Sequence, residues 1–391
     1  MHKKLPARLL SIDVFRALTM FLMIFVNDVD GVENIPGWIK HVPASADGLG
    51  FADTIFPGFL FIVGLSLPFA IKKRLKNGDP FYKVALHILA RSLALLVMGF
   101  LHVNLEHYSN TALLPKAVWE ILITIGFFLI WLDYPKDIKK TTRYLLQAAG
   151  VILLLVMAWL FKGGKAEALV GLKPYWWGIL GIIGWSYLVC ALLFLISNKR
   201  LLTQFIFFSV LFTINLLYCT GLLKHPLPVI GNAASPALTM AGVVITLLYS
   251  TLVEKGKEKQ LWILFTTIGI AMLFIGFATR PYADGISKIR ATTPWIAICT
   301  GISILVFELM IWLVDVKDRQ HWFKAIRPAG TSTLTCYLIP YLLYSLYMLT
   351  GFRYPHFLNE GIGGIARSFA VAFFVIWITG VLEKKRLRLR I

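Results

Sequence analysis

The stretch HVPASADGLGFADTIFPGFLFIVGLSLPFA, His41 to Ala70, sets the reading of the whole chain. It begins as a polar, Gly-containing loop and passes at Asp53 and Pro57 into an apolar, Phe-rich run. A run of about 20 apolar residues is long enough to cross a hydrocarbon core of about 30 Å. In lipid the backbone has no water to bond, so such a run must be a helix. One imidazole and two carboxylates, those of His41, Asp47 and Asp53, therefore arrive together at a membrane edge. An imidazole titrates near neutral pH, and beside a carboxylate it is a natural general base or nucleophile. Polar groups at such an edge also stay hydrated at little cost, so the cluster fits an ordinary wet rim as well. Asp53 by itself fits the cap of the helix it opens.

Working outward, the same apolar pattern recurs along all 391 residues, which are 58% hydrophobic and only 15% charged, with a mean hydropathy of +0.73. Twelve runs stand out, near 9–29, 51–72, 84–103, 114–133, 143–161, 175–196, 201–220, 236–253, 261–278, 294–314, 331–350 and 363–382. The fold expected is all-α: a polytopic integral membrane protein of about 12 transmembrane helices (10–12), with residues 1–391 as a single transmembrane domain and no soluble domain. The fourth run, which contains Glu120, and the seventh, which follows the short turn Ser197–Arg200, are the least pronounced. The first run carries Asp13 and Arg16 and lacks a small-residue cleavage site, so it reads as a span and not as a cleavable signal.

Charge orients the spans. With the first residues inside, 26 of the 39 Lys and Arg fall in inside segments, 10 in outside loops, and Arg16, Arg91 and Arg367 within spans. Positive residues collect on the cytoplasmic side of membrane proteins. Both termini are therefore expected in the cytoplasm of a bacterial inner membrane, with the His41 loop on the periplasmic side. The basic tail EKKRLRLRI then reads as a topogenic stop against anionic headgroups. The net charge of +19 is spread over short loops and forms no stripe, which excludes a nucleic-acid partner. Cys190, Cys219, Cys299 and Cys336 lie in apolar runs without paired spacing, so neither a disulfide framework nor a zinc site is expected.

Ionisable groups inside a membrane are costly and mark functional sites by default. Asp13 and Arg16 are three apart and share a helix face. They form either a self-neutralising pair or, with Arg91 at similar depth in the third span, an anion site near the cytoplasmic side. Two arginines facing one cavity suit phosphate or pyrophosphate through their fork geometry. At the outer side Asn27, Asp28 and Asp30 end the first span, and His102, Asn104, Glu106 and His107 end the third. Singly they read as loop residues; together Asn27, Asp28, Asp30 and His102 are candidates for a polar mouth that binds a sugar. No His pair has helical zinc spacing, so no metal is expected.

The order of motifs resembles a known family. RLLSIDVFRALTMFLMIFVN at 8–27, then His41, then GLGFADTIFPGFLFIVGLS at 48–66, is similar to the multi-pass transmembrane acyltransferases typified by heparan-alpha-glucosaminide N-acetyltransferase, and to their bacterial branch in particular. Further echoes are Arg91 in RSLALLVMGF, ISKIRATTPW at 286–295, the Asp315 segment and PAGTSTLTCYLIPY at 328–341. Ala17 stands where the family segment has Gly. The resemblance implies transfer of an acetyl group from cytoplasmic acetyl-CoA to an amino sugar or other glycan across the membrane. It places the active histidine at His41, as general base or acyl carrier, with Asp53 or Asp47 orienting it. Acyl-CoA would dock near Arg16, Arg91 and Asp13. The partners expected are the lipid bilayer and a sugar or glycan acceptor, with a homo-oligomer allowed. Two other readings fit the same residues: a proton-coupled transporter of amino sugars or cell-wall fragments using His41, Asp53, Glu120 and Glu308, and a membrane protein that keeps the fold without catalysis.

Overall fold

The computed structural model describes residues 9–165, 167–197 and 200–391. Lys3, Lys4, Arg8 and Lys199, four of the basic residues in the charge count, lie outside the described residues. The helices are α1 (Leu10–Val29), α2 (Ala52–Lys76), α3 (Phe81–Val103), α4 (Lys116–Trp131), α5 (Lys140–Leu160), α6 (Gly178–Ile196), α7 (Leu201–Cys219), α8 (Ala234–Glu254), α9 (Glu258–Thr279), α10 (Thr293–Met310), α11 (Arg327–Thr331), α12 (Thr333–Thr350) and α13 (Gly361–Lys384). Every expected run is a helix, with ends moved by a few residues. Eleven of them are long and apolar enough to cross a membrane. The chain is a multi-pass integral membrane protein.

Helix α4 has 16 residues and is the short member of the set. Its two ends nonetheless meet different loops. Just before its start, the Leu114 carbonyl accepts a hydrogen bond from the Tyr108 hydroxyl. Just past its end, the Asp133 amide donates to the Arg388 carbonyl in the tail. Sequence periodicity did not reveal three local features: a small antiparallel hairpin (β1 Gly163–Lys165, β2 Ala168–Val170), a π-helical continuation of α10 over Ile311–Val316, and the five-residue α11.

Lipid offers helices little hydrophobic reason to associate, so close packing relies on small residues. Helices α2 and α8 show this at two positions. A Cβ on Gly64 would stand 1.8 Å from the Thr239 carbonyl oxygen, and one on Gly242 would stand 2.0 Å from that of Phe61.

Helix α1 runs through the bundle and packs on α2, α10, α11, α12 and α13. Its N-cap is Leu9, which has no capping side chain. Asp315 replaces the cap from the far end of the sequence, accepting the Leu10 and Ser11 amides at 3.0 and 3.3 Å. A carboxylate there both pairs orphan amide groups and complements the helix dipole. Further along α1, Ala17 is buried against Gly330, the fourth residue of α11. The glycine missing from α1 is thus matched by one on its partner.

Candidate functional site

The bundle holds two polar sites. The outer one is built on Asp53, the second residue of α2. Its Oδ1 is 2.7 Å from His41 Nδ1. Its Oδ2 accepts the Val42 and Gly50 amides at 3.0 and 3.1 Å. The carboxylate is 1% exposed and the His41 side chain 27% exposed. With Asp53 ionised, Nδ1–H donates to it and the ring's lone pair is on Nε2.

Pro57 helps to fix this arrangement. A proline inside a helix has no N–H, so the carbonyl four residues earlier loses its partner. That carbonyl belongs to Asp53, and Trp295 Nε1–H takes the bond at 3.1 Å. The DTIFP and ATTPW segments meet here, which explains why both matter to one site.

Asp47 does not sit on His41. Its Oδ1 accepts the Ile286 amide at 2.6 Å and its Oδ2 accepts Arg280 Nε at 2.9 Å. Gly285, at φ +68°, leaves room for it: a Cβ there would stand 2.7 Å from the Asp47 carboxyl carbon. The Ile286 hydrogen bond first, and then Arg280, hold the Asp47 carboxyl below the usual carboxylate range. Asp47 thus staples the His41 loop to the loop between α9 and α10, and the carboxylate on the imidazole is that of Asp53.

The stapled loop brings in a residue the sequence reading did not single out. Lys288 Nζ lies 3.2 Å from His41 Nδ1 and 3.4 Å from Nε2. Burial pushes its ammonium pKa down, and the charges of Asp53 and Asp30 oppose that shift. Asp30 itself is exposed at the C-cap of α1.

The inner site is a cavity of about 340 Å³ lined by Arg16 and Arg91, with Ser66 and Tyr187. Arg16 pairs with Asp13 at 3.0 Å and donates to the Ser66 hydroxyl at 2.5 Å. Arg91 lies over the Tyr187 ring at 4.9 Å, and its Nε is buried without a partner. An orphaned guanidinium N–H beside a second arginine fits an anionic group such as phosphate. Leu389, Arg390 and Ile391 wall this cavity too. The end of the basic tail therefore folds back: Leu389 N donates to Thr335 Oγ1 at 2.9 Å, and Arg388 and Arg390 both pair with Asp133.

A second cavity of about 190 Å³ shares Met20 and Tyr337 with the first and reaches Asn27 and Tyr344. Asn27 is exposed into it, although its neighbours Val26 and Asp28 are buried. From Arg16 to Asn27 the helix rises about 16 Å, at about 1.5 Å per residue. The two cavities thus stack along one face of α1.

Two other candidates lie elsewhere. Asp28 is buried and fully engaged, accepting from Arg367 at 3.1 Å, Ser368 Oγ at 2.7 Å and Tyr344 OH at 2.8 Å. His102 is buried between Tyr341, stacked at 4.3 Å, and Phe127, with both ring nitrogens unpartnered. Both are buried. Among the described residues no group of His, Cys, Asp and Glu has metal-binding geometry.

A membrane bundle with a His–Asp pair at the start of α2 and a separate arginine-lined cavity defines a polytopic protein with two polar sites. The chain belongs to the family described as Domain of unknown function (DUF5009), whose model matches residues 8–209. It is also 38% identical over 100 residues to heparan-alpha-glucosaminide N-acetyltransferase of Homo sapiens, covering 26% of this chain and 14% of that protein. The same protein of Mus musculus is 37% identical over 97 residues, covering 25% and 14%. The chain therefore matches a small part of these relatives' length, and the likeness is distant and partial.

Proposed function

We propose that the protein is a transmembrane acyltransferase that moves an acetyl or related acyl group from acyl-CoA on the cytoplasmic side to an amino sugar or other glycan on the periplasmic side. The observation that carries this reading is the pair of stacked cavities along α1, with Arg16 and Arg91 at one end and Asn27 at the other. The arginines would hold the phosphates of the donor, and its acyl arm would rise between α1 and α12 past Met20 and Tyr337. His41 Nε2 would take the proton of the attacking amine or hydroxyl, while Asp53 holds the ring. The lysine and arginine count supports placing the arginine end in the cytoplasm of a bacterial inner membrane. The curated relatives, named for N-acetyl transfer, support the reaction class.

Transport finds less support. Among the described residues neither Glu308, which accepts from Thr266 on an exposed helix face, nor Glu120 bonds His41 or Asp53, so these contacts give no proton relay. The test is incubation of purified protein with radiolabelled acetyl-CoA and a panel of amino sugars. Label should pass to at least one sugar, and His41→Ala should slow that transfer about 10²–10⁴-fold, the usual worth of general acid–base help. Absence of labelled product with every acceptor would end the enzyme reading.

A further inference from the structure

We propose that Lys288 is a catalytic residue of the outer site, its ammonium binding the carbonyl oxygen of the acyl donor and stabilising the charge that grows there as the acceptor attacks. This rests on the acyl-transfer reading and adds to it the group that receives the developing negative charge.

The geometry supports it in three ways. Nζ lies within 3.4 Å of both nitrogens of His41, so proton acceptor and cation stand side by side. Nδ1 is already committed to Asp53, so Lys288 is not needed to orient the ring. Among the described residues no ion pair joins Nζ to a carboxylate, so beyond the one N–H that can face His41 Nε2 the ammonium keeps two donors for a ligand. The loop that carries it is rigidly held, by Asp47 on Ile286 and Arg280, by the Arg290–Asp284 pair at 3.1 Å, and by the Ser287 amide on Thr292 Oγ1. A cation held in place and partly dehydrated acts on developing charge without reorganising.

The step balances with these residues alone. The acceptor nitrogen or oxygen forms a bond to the acyl carbon, and its proton passes to His41 Nε2. The carbonyl π pair moves onto oxygen, facing Lys288. When that pair returns, the carbon–sulfur bond breaks, and the CoA thiolate takes the proton back from His41.

The experiment reads the carbonyl directly. Acetyl-CoA labelled with ¹³C at the carbonyl is bound to the full-length protein without acceptor, and its stretch is followed by isotope-edited infrared difference spectroscopy. In the wild type the bound carbonyl should absorb at lower frequency than the free one. Lys288→Met should abolish that shift, leave acetyl-CoA affinity within threefold, and lower turnover about 10²–10³-fold, the usual cost of an oxyanion donor. Lys288→Arg should restore part of both, and methylammonium should rescue Lys288→Ala, which a purely structural lysine would not allow. A carbonyl shift and turnover unchanged in Lys288→Met overturn the proposal while leaving the acyltransferase reading intact. Failure of the wild type to bind acetyl-CoA overturns both.

Discussion

Replacing Asp53 by Asn changes one atom and should disable the site. Oδ1 takes the imidazole N–H, and Oδ2 takes the amides of Val42 and Gly50. An amide has one acceptor oxygen, so it serves one side only. If its NH₂ faced the two backbone amides, two buried donors would lose their partner. If it faces His41, one bond is at stake, and the ring recovers it by switching tautomer so that Nδ1 accepts. The second outcome is cheaper. It puts the proton on Nε2, the atom proposed to act as base. The exchange replaces a charge-assisted bond, worth about 1.5–3 kcal/mol, by a neutral one worth about 1 kcal/mol. Asp53→Asn should therefore lose about 1–2 kcal/mol of stability, yet slow acyl transfer about 10²–10⁴-fold. Acetyl-CoA affinity should stay within threefold, because Arg16 bonds Ser66, 13 residues beyond Asp53 on α2 and so about 20 Å away along that helix. Turnover and thermal unfolding of the purified variant measure both effects. Transfer within threefold of wild type would refute the role given to the His41–Asp53 pair.

Three other outcomes are expected. Arg16→Ala and Arg91→Ala should each weaken acyl-CoA binding about 10–100-fold, the worth of one charge-assisted contact; normal affinity in both would leave Arg16 only its structural contacts with Asp13 and Ser66. Asp28→Ala leaves the Arg367 charge buried and should cost about 3–5 kcal/mol in unfolding experiments; unaltered unfolding would contradict the buried network described for Asp28. Asp47 has a depressed folded-state pKa, so its stabilisation should be complete above its unfolded value of about 3.9 and be lost as pH falls through the folded value. Stability of wild type relative to Asp47→Asn should accordingly be flat above about pH 5 and shrink below about pH 4; a difference that grew in acid would reverse that sign.

The membrane architecture was legible because each span signals itself locally. Twelve apolar runs became twelve long helices, and even the doubtful fourth run is α4, the short one. What periodicity missed is either too short to show a period, like the 163–170 hairpin and α11, or depends on partners far away in sequence. Asp47, six residues from His41, stood beside Asp53 as a candidate to orient it, yet it bonds Arg280, 233 residues away. Lys288 reaches His41 across 247 residues. Arg367, one of three arginines within spans, finds Asp28 across 339. Local spacing put His41, Asp53, Arg16 and Arg91 forward because each stands out against an apolar background. It had no means of showing that Asp28 would be consumed by an internal ion pair, or that Leu389 would turn back to wall the inner cavity.

Transfer across a sealed bilayer is the most direct measurement of the central proposal. Proteoliposomes holding labelled acetyl-CoA inside, with an amino sugar only outside, should yield labelled N-acetyl sugar in the outer solution. Yield should fall about 10²–10⁴-fold with His41→Ala. Product formed only when donor and acceptor share a compartment, or unmodified sugar accumulating inside the vesicles, would contradict a transmembrane acyltransferase.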